Sequence, residues 1–288
     1  MNLFGTTLIL SILFTSSVFA TINTKHIDKT KYTIFLPTPS THLRELSTDR
    51  PDKTEGPYTV DAGHYQVEFD LVTLTYDRNK QDQTRTYGHT IFAPNFRIGL
   101  LDQLELDFIM TSFNFIKIKS IADQLTERKQ GFDDTIVRFK YNFWGNEGDE
   151  KTSFGIIPFV KIPTNSNKLG NKSYDGGVIF PLDIHLTDKL GLGLMTEFDY
   201  QKGENTRKHV FNFINSASLS YDFTDKLSGF SEIFTQRSAE HNSKWDVTFD
   251  FGMSYSITDN VQVDAGAYVG LARYSNNITP FLGMSCRF

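Results

Sequence analysis

The 288-residue chain has a formal net charge of −5, which gives no electrostatic reason to expect a nucleic-acid partner. Its one cysteine, Cys286, excludes an intrachain disulfide, so stability must come from strand pairing and burial. Aromatic residues are abundant (26 Phe and 12 Tyr) although mean hydropathy is negative, a combination suited to a barrel that is apolar outside and polar inside.

Met1 to Ala20 contains no charged side chain and carries an apolar run from Leu8 to Phe14 before the polar Thr21. This predicts a secretory signal peptide over residues 1–20, cleaved after Ala20. The stretch lacks the length and the basic flank of a spanning helix. Residues 21–62 differ from everything that follows. Pro37, Pro39, Pro51 and Pro57 interrupt them, charges cluster at Arg44, Glu45, Asp49, Arg50, Asp52, Lys53 and Glu55, and no alternation is sustained. They form an extension, either a periplasmic tail or a plug for the lumen. Arg44, Asp49, Arg50, Asp52, Lys53 and Glu55 are the plug candidates.

Residues 63–288 read as an all-β transmembrane antiparallel barrel of twelve strands. The segments are His64–Asp77, Thr90–Gly99, Leu104–Phe115, Phe132–Phe143, Thr152–Ile162, Tyr174–Leu186, Leu190–Gln201, Lys208–Phe223, Leu227–Gln236, Trp245–Ile257, Val261–Leu271 and Pro280–Phe288. In Trp245–Ile257, Val247, Phe249, Phe251, Met253 and Tyr255 oppose Asp246, Thr248, Asp250 and Ser254. In the first segment the pattern slips one residue near Leu71, which predicts a bulge. Tight turns such as Thr187-Asp-Lys and Thr224-Asp-Lys alternate with longer loops near residues 78–86, 117–131, 164–173, 202–207, 237–243 and 273–278. The turns are expected in the periplasm and the loops outside the cell.

A soluble sandwich also alternates, so segment length has to decide. Strands of about 9–11 residues match tilted membrane strands, whereas soluble strands average about 5–6. Charge placement agrees, because the apolar face is free of charge through the middle of nearly every segment, where a basic side chain would cost about 2–4 kcal/mol.

The opposite face supplies the lumen-lining candidates. Glu68, Asp70, Arg97, Glu105, Asp107, Arg138, Lys140 and Lys161 lie on the first five strands, where acids and bases interleave and cross-strand ion pairs are expected. Asp183, Glu197, Asp199, Glu232, Asp246, Asp250 and Asp264 follow with almost no basic counterpart, an acidic arc that Arg44, Arg50 and Lys53 of the extension could meet. Arg287 is expected to point into the lumen near Glu68 or Asp70. Phe288 is read as the terminal aromatic recognised by the outer-membrane assembly machinery.

Catalytic chemistry finds no support. His241-Asn242-Ser243 has the letters of a hydrolase triad, but adjacent side chains diverge and the tripeptide lies in a predicted loop. The seven His form no metal-ligand spacing, so neither a metal nor a cofactor is expected, and the chain is not read as an enzyme.

Several blocks carry a family resemblance. Ser47-Thr-Asp-Arg-Pro-Asp-Lys-Thr-Glu-Gly-Pro-Tyr-Thr-Val60, Ala62-Gly-His-Tyr-Gln-Val-Glu68, Gly131-Phe-Asp-Asp-Thr135, Lys140-Tyr-Asn-Phe-Trp-Gly-Asn146 and Leu192-Gly-Leu-Met-Thr-Glu-Phe-Asp199 resemble outer-membrane transporters labelled for the meta-pathway of phenol degradation. The resemblance runs from about Leu46 to Phe288. Lys53, Asp61 and Cys286 depart from the family pattern, where an apolar residue, a proline and an aromatic are usual. The resemblance implies a place in the outer membrane of a Gram-negative bacterium and uptake of small solutes, including aromatic or hydrophobic ones. Expected partners are outer-membrane lipid, lipopolysaccharide, the assembly machinery and a small-molecule solute. The rival reading is a structural barrel without transport, whose loops, with Arg78, Lys80, Arg85, Lys117, Lys119, Lys168, Lys172 and Arg207, engage lipopolysaccharide.

Overall fold

A computed structural model describes residues 28–79, 83–110, 113–121, 124–166, 169–203, 206 and 208–288. The signal-peptide reading of residues 1–20 lies outside the described residues, as do Lys80, Lys168 and Arg207. Among the described residues no helix is long and apolar enough to cross a membrane.

Alternating side chains build an antiparallel barrel of twelve staves, two of them interrupted. The strands are β1 (Tyr65–Asn79), β2 (Thr84–Leu101), β3 (Leu104–Ile109), β4 (Phe113–Ser120), β5 (Thr126–Phe132), β6 (Thr135–Trp144), β7 (Thr152–Ile162), β8 (Asp175–Thr187), β9 (Leu190–Lys202), β10 (His209–Asp222), β11 (Leu227–Ser238), β12 (Asp246–Thr258), β13 (Val261–Gly270) and β14 (Ile278–Arg287). Apart from β5, which pairs only with β4, each strand pairs with the strands on both sides, and β14 returns to β1 from Gln66↔Arg287 to Tyr76↔Ile278. That pairing closes the ring and leaves neither strand with a free edge. The expected bulge is present: Leu71 drops out of register between Asp70 and Val72.

Two loops are shorter than expected: the one predicted over residues 78–86, since β1 runs to Asn79 and β2 starts at Thr84, and the one predicted over 117–131. β3 and β4 form one stave and β5 and β6 the next, so β4 and β5 make a hairpin where a loop over residues 117–131 is predicted. Here the faces exchange character: Lys117 and Lys119 follow Phe115, while Ile116 and Ile118 take the other side. A strand whose polarity inverts reads from sequence as a strand that has ended. At the interruption, Asp134 accepts hydrogen bonds from Asn165, and the loop after β7 bridges the gap through Ser166 N to Phe132 O (3.0 Å).

The distribution of side chains is that of a soluble protein turned inside out. Phe139, Phe211, Phe213, Phe249, Phe251 and Met253 are exposed on the outer wall, whereas Arg97, Glu105, Asp107, Lys140 and Asp250 are at most 1% exposed within. An apolar patch also lines the inner wall: Ile157, Ile179, Met195 and Ile214, packed against Phe159 and Phe234. Two inward glycines let the extension approach. A Cβ at Gly99 would overlap the carbonyls of Val60 and Asp61, and one at Gly283 would overlap the Arg50 guanidinium.

Candidate functional site

The extension runs through the barrel, and the inward side chains divide into two walls around it. On the wall of β1, β2, β3 and β6, acid and base alternate across strands. Arg97 bonds Glu68 (2.7 Å) and Glu105 (2.9 Å), Arg138 bonds Asp107 (2.8 Å), and Lys140 lies 3.5 Å from Glu105. Asp49 of the extension enters among the three bases, 2.5 Å from Lys140, 3.2 Å from Arg138 and 3.5 Å from Arg97. Its own amide donates to Glu68 at 3.0 Å. Burial opposes its charge, but Arg97, Lys140 and Arg138 outweigh burial and hold its carboxyl well below the usual carboxylate range. Glu55 adds a contact to Arg138 at 2.6 Å.

Asp49, Glu105 and Asp107 converge closely enough to suggest a cation site. Arg97, Arg138 and Lys140 already ligate these carboxylates, so the donor set is charge-compensated and does not fit a metal ion.

The wall from β8 to β13 is acidic, and the extension supplies its cations. Arg50 reaches Asp70 (2.5 Å) and Asp264 (2.8 Å), with its guanidinium 5.7 Å from the Phe281 ring centroid. Lys53 contacts Asp250 (3.0 Å) and lies 4.4 Å from the rings of both Phe234 and Tyr268. Glu232 accepts from Lys53 N (3.1 Å) and Thr54 Oγ1 (2.5 Å), and Asp183 accepts from Tyr58 OH (2.9 Å). Asp52 enters this wall and meets no cation among the described residues. Burial, reinforced by the neighbouring Glu232 carboxylate, pushes its carboxyl up to about 8.

Two expectations need correction. Arg44 does not meet the acidic arc; it bonds Glu147 (2.9 Å), Asp102 and Asp61, where the turns after β2 and β6 bring carboxylates to the near end of the extension. Arg287 does not approach Glu68 or Asp70, which are occupied by Arg97 and Arg50. It bonds Asn260 Oδ1 (2.9 Å) and Arg44 O (2.7 Å), with Asp61 at 3.9 Å.

Lys161 joins Asp134 (3.0 Å) and Asp175 (2.6 Å) rather than the central ladder. Among the described residues Asp246 makes no salt bridge, while Glu197 and Asp199 hydrogen-bond each other, so part of the arc has no cation directly paired with it. Phe288 extends the β14 pairing, its amide donating to Tyr65 O at 2.8 Å.

Sequence reasoning passed over Tyr58, Asp61, Asp134 and Asp175. Asp61 falls where strand alternation has not begun, and Asp134 falls at the β5–β6 interruption, so neither belongs to a readable face. At the end of the barrel that carries the short turns, a cavity of about 600 Å³ opens between the extension and the wall. Glu45, Asp149, Asp183 and Asp222 line it, with Arg44 and Arg287 engaged as described.

Comparison with known proteins returns no match among curated sequences. Among solved structures, the chain is similar to an outer membrane channel from Pseudomonas putida F1, at 13% identity and a TM-score of 0.62, with 84% of this chain and 100% of that chain covered. The transport unit of the autotransporter AIDA-I from Escherichia coli aligns at 9% identity and a TM-score of 0.50, over 88% of this chain and 96% of that one. The KdgM porin aligns at 12% identity and a TM-score of 0.45, covering 77% and 99%. The first two likenesses concern the barrel fold. The family described as "Putative MetA-pathway of phenol degradation" matches residues 48–288, and the chain belongs to it.

Proposed function

We propose that the protein is an outer-membrane channel for passive uptake of small solutes, held largely closed by residues 43–58. The observation that carries this reading is the pairing of Arg50 with Asp70 and Asp264 and of Lys53 with Asp250, which ties an irregular segment across a charged lumen. A barrel serving only as a surface scaffold has no need for such a segment to be held by exchangeable polar contacts rather than by an apolar core. The outer face is apolar enough to meet lipid, and the leader read in residues 1–20 would deliver the chain to the outer membrane of a Gram-negative bacterium. Phe288 would serve as its assembly signal.

The lumen supports a class of solute. Asp246, which makes no salt bridge among the described residues, together with the acidic cavity at the turn end, favours neutral or cationic molecules over anions. The inner patch of Ile157, Ile179, Met195 and Ile214 offers an apolar surface to aromatic or hydrophobic solutes. No residue is assigned a catalytic role. Reversal potentials across planar bilayers under a salt gradient test the charge preference. Cation preference is expected, and anion preference would refute the reading.

A further inference from the structure

The sheet of β1, β2, β4 and β5 presents its outward side chains in cross-strand rows that change character along the strands. One row is apolar: Val72, Ile91, Phe113 and Phe132. Two rows further along stand Tyr76, Tyr87, Lys117 and Arg128, and the next holds Arg78, Arg85 and Lys119. Rows on one face are about 6–7 Å apart along a strand, so the face passes from hydrocarbon-like to cationic over about 15–20 Å.

The cations oppose one another. Arg78 is registered against Arg85, Arg85 against Lys119, and Lys117 against Arg128. Like charges directly opposite destabilise a sheet, so these rows favour an anion between them. The acids of the same strands, Asp77 and Glu127, fall on the other face, where Glu127 pairs with Lys129 at 3.1 Å. Among the described residues none of the five cations has an ion-pair partner, and Arg85 Nε is enclosed without a hydrogen-bond acceptor. Lys119 Nζ lies 5.8 Å from the Tyr87 ring centroid. A groove of about 690 Å³, lined by Ile91, Phe115, Lys117 and Arg128 among others, lies on this side of the sheet.

We propose that this face is a binding site for the phosphorylated, multiply acylated glycolipid of the outer leaflet, lipid A. Its acyl chains lie along Val72, Ile91 and Phe113, and its phosphates bridge the opposed cations of the two outer rows. Charge complementarity and the order of the rows select this ligand: an anionic head must sit beyond an apolar tail on one continuous surface. The assignment rests on the outer-membrane location proposed above, but not on conduction.

The test uses the full-length barrel purified in zwitterionic detergent and titrated with fluorescent lipid A, with lipid A stripped of its phosphates, and with phosphatidylglycerol vesicles. Wild type should bind lipid A roughly tenfold or more tightly than either alternative, about 1.4 kcal/mol per tenfold step. The K117Q/K119Q/R128Q variant should lose that preference, and K189Q/K226Q, altered in the turns, should retain it. Equal binding of dephosphorylated lipid A overturns the proposal. Equal binding of phosphatidylglycerol overturns it in favour of general anion attraction, and so does an unchanged triple variant. The lipid comparison on wild type decides even if the triple variant fails to assemble. A failure here would leave a bilayer test of conduction standing.

Discussion

The two inner walls solve the problem of buried charge differently. Apart from Asp70, which takes Arg50 of the extension, the wall of β1, β2, β3 and β6 is compensated within itself: Arg97, Arg138 and Lys140 face Glu68, Glu105 and Asp107 on neighbouring strands, and the extension adds Asp49 and Glu55. The wall from β8 to β13 carries Asp264 and Asp250, whose cations, Arg50 and Lys53, come from outside the sheet. One wall therefore belongs to the barrel, and the other is completed only when the extension is in place. Permanent scaffold and movable part are thus separated by where the positive charge is encoded.

The largest effect should come from the self-compensated wall. Arg97→Met leaves Glu68 and Glu105 buried without their shared cation, and removing one partner of a buried pair costs about 3–5 kcal/mol. Urea titration of the folded barrel in detergent should show the loss, and a shift below about 1 kcal/mol would mean that the ladder is not structural. On the other wall, Arg50→Gln should leave the barrel nearly as stable but loosen the extension, raising mean single-channel current several-fold by a population shift of about 1 kcal/mol. Equal destabilisation by the two variants would erase the distinction between the walls.

A smaller effect is expected from pH. The carboxyl of Asp52 is raised to about 8 by burial and by Glu232, so its docked form holds a proton that the free segment would release at ordinary carboxylate pH. Its contribution to docking is therefore complete at low pH and is lost as pH rises toward and through about 8. Asp49 works the other way: its depressed carboxyl stabilises docking above the ordinary carboxylate range and fails on acidification. Protease access to residues 43–58 should increase on the alkaline side, and Asp52→Asn should flatten that limb. An alkaline limb unchanged in Asp52→Asn would remove Asp52 from the account.

Much of the barrel is legible in the sequence because a half-apolar strand announces its faces with period 2, as Val247 to Met253 do against Asp246 to Asp250. The inward position of Arg97, Glu105 and Asp250 follows from the same rule. Legibility fails where that rule is suspended. β4 and β5 invert polarity and so look like loop. Ile157, Ile179, Met195 and Ile214 share the phase of Gly155, Asp183, Glu197 and Asn212 and so face inward by the same rule, but their residue type gives no sign that they gather into one patch across four strands. Arg44 and Arg287 find partners fixed by chain folding across turns, which residue type and face cannot specify. Arg50 and Lys53 were readable only as an imbalance, cations in the extension set against an arc short of them.

The central claim is that residues 43–58 close the lumen by completing the acidic wall. It is tested most directly by comparing single-channel conductance of the intact protein with that of a variant lacking 43–58, using only protein whose heat-modifiable migration shows an assembled barrel. A conductance several-fold larger and more cation-selective in the deletion is expected, because it removes the obstruction and uncovers Asp250 and Asp264. An unchanged conductance and selectivity would contradict the account.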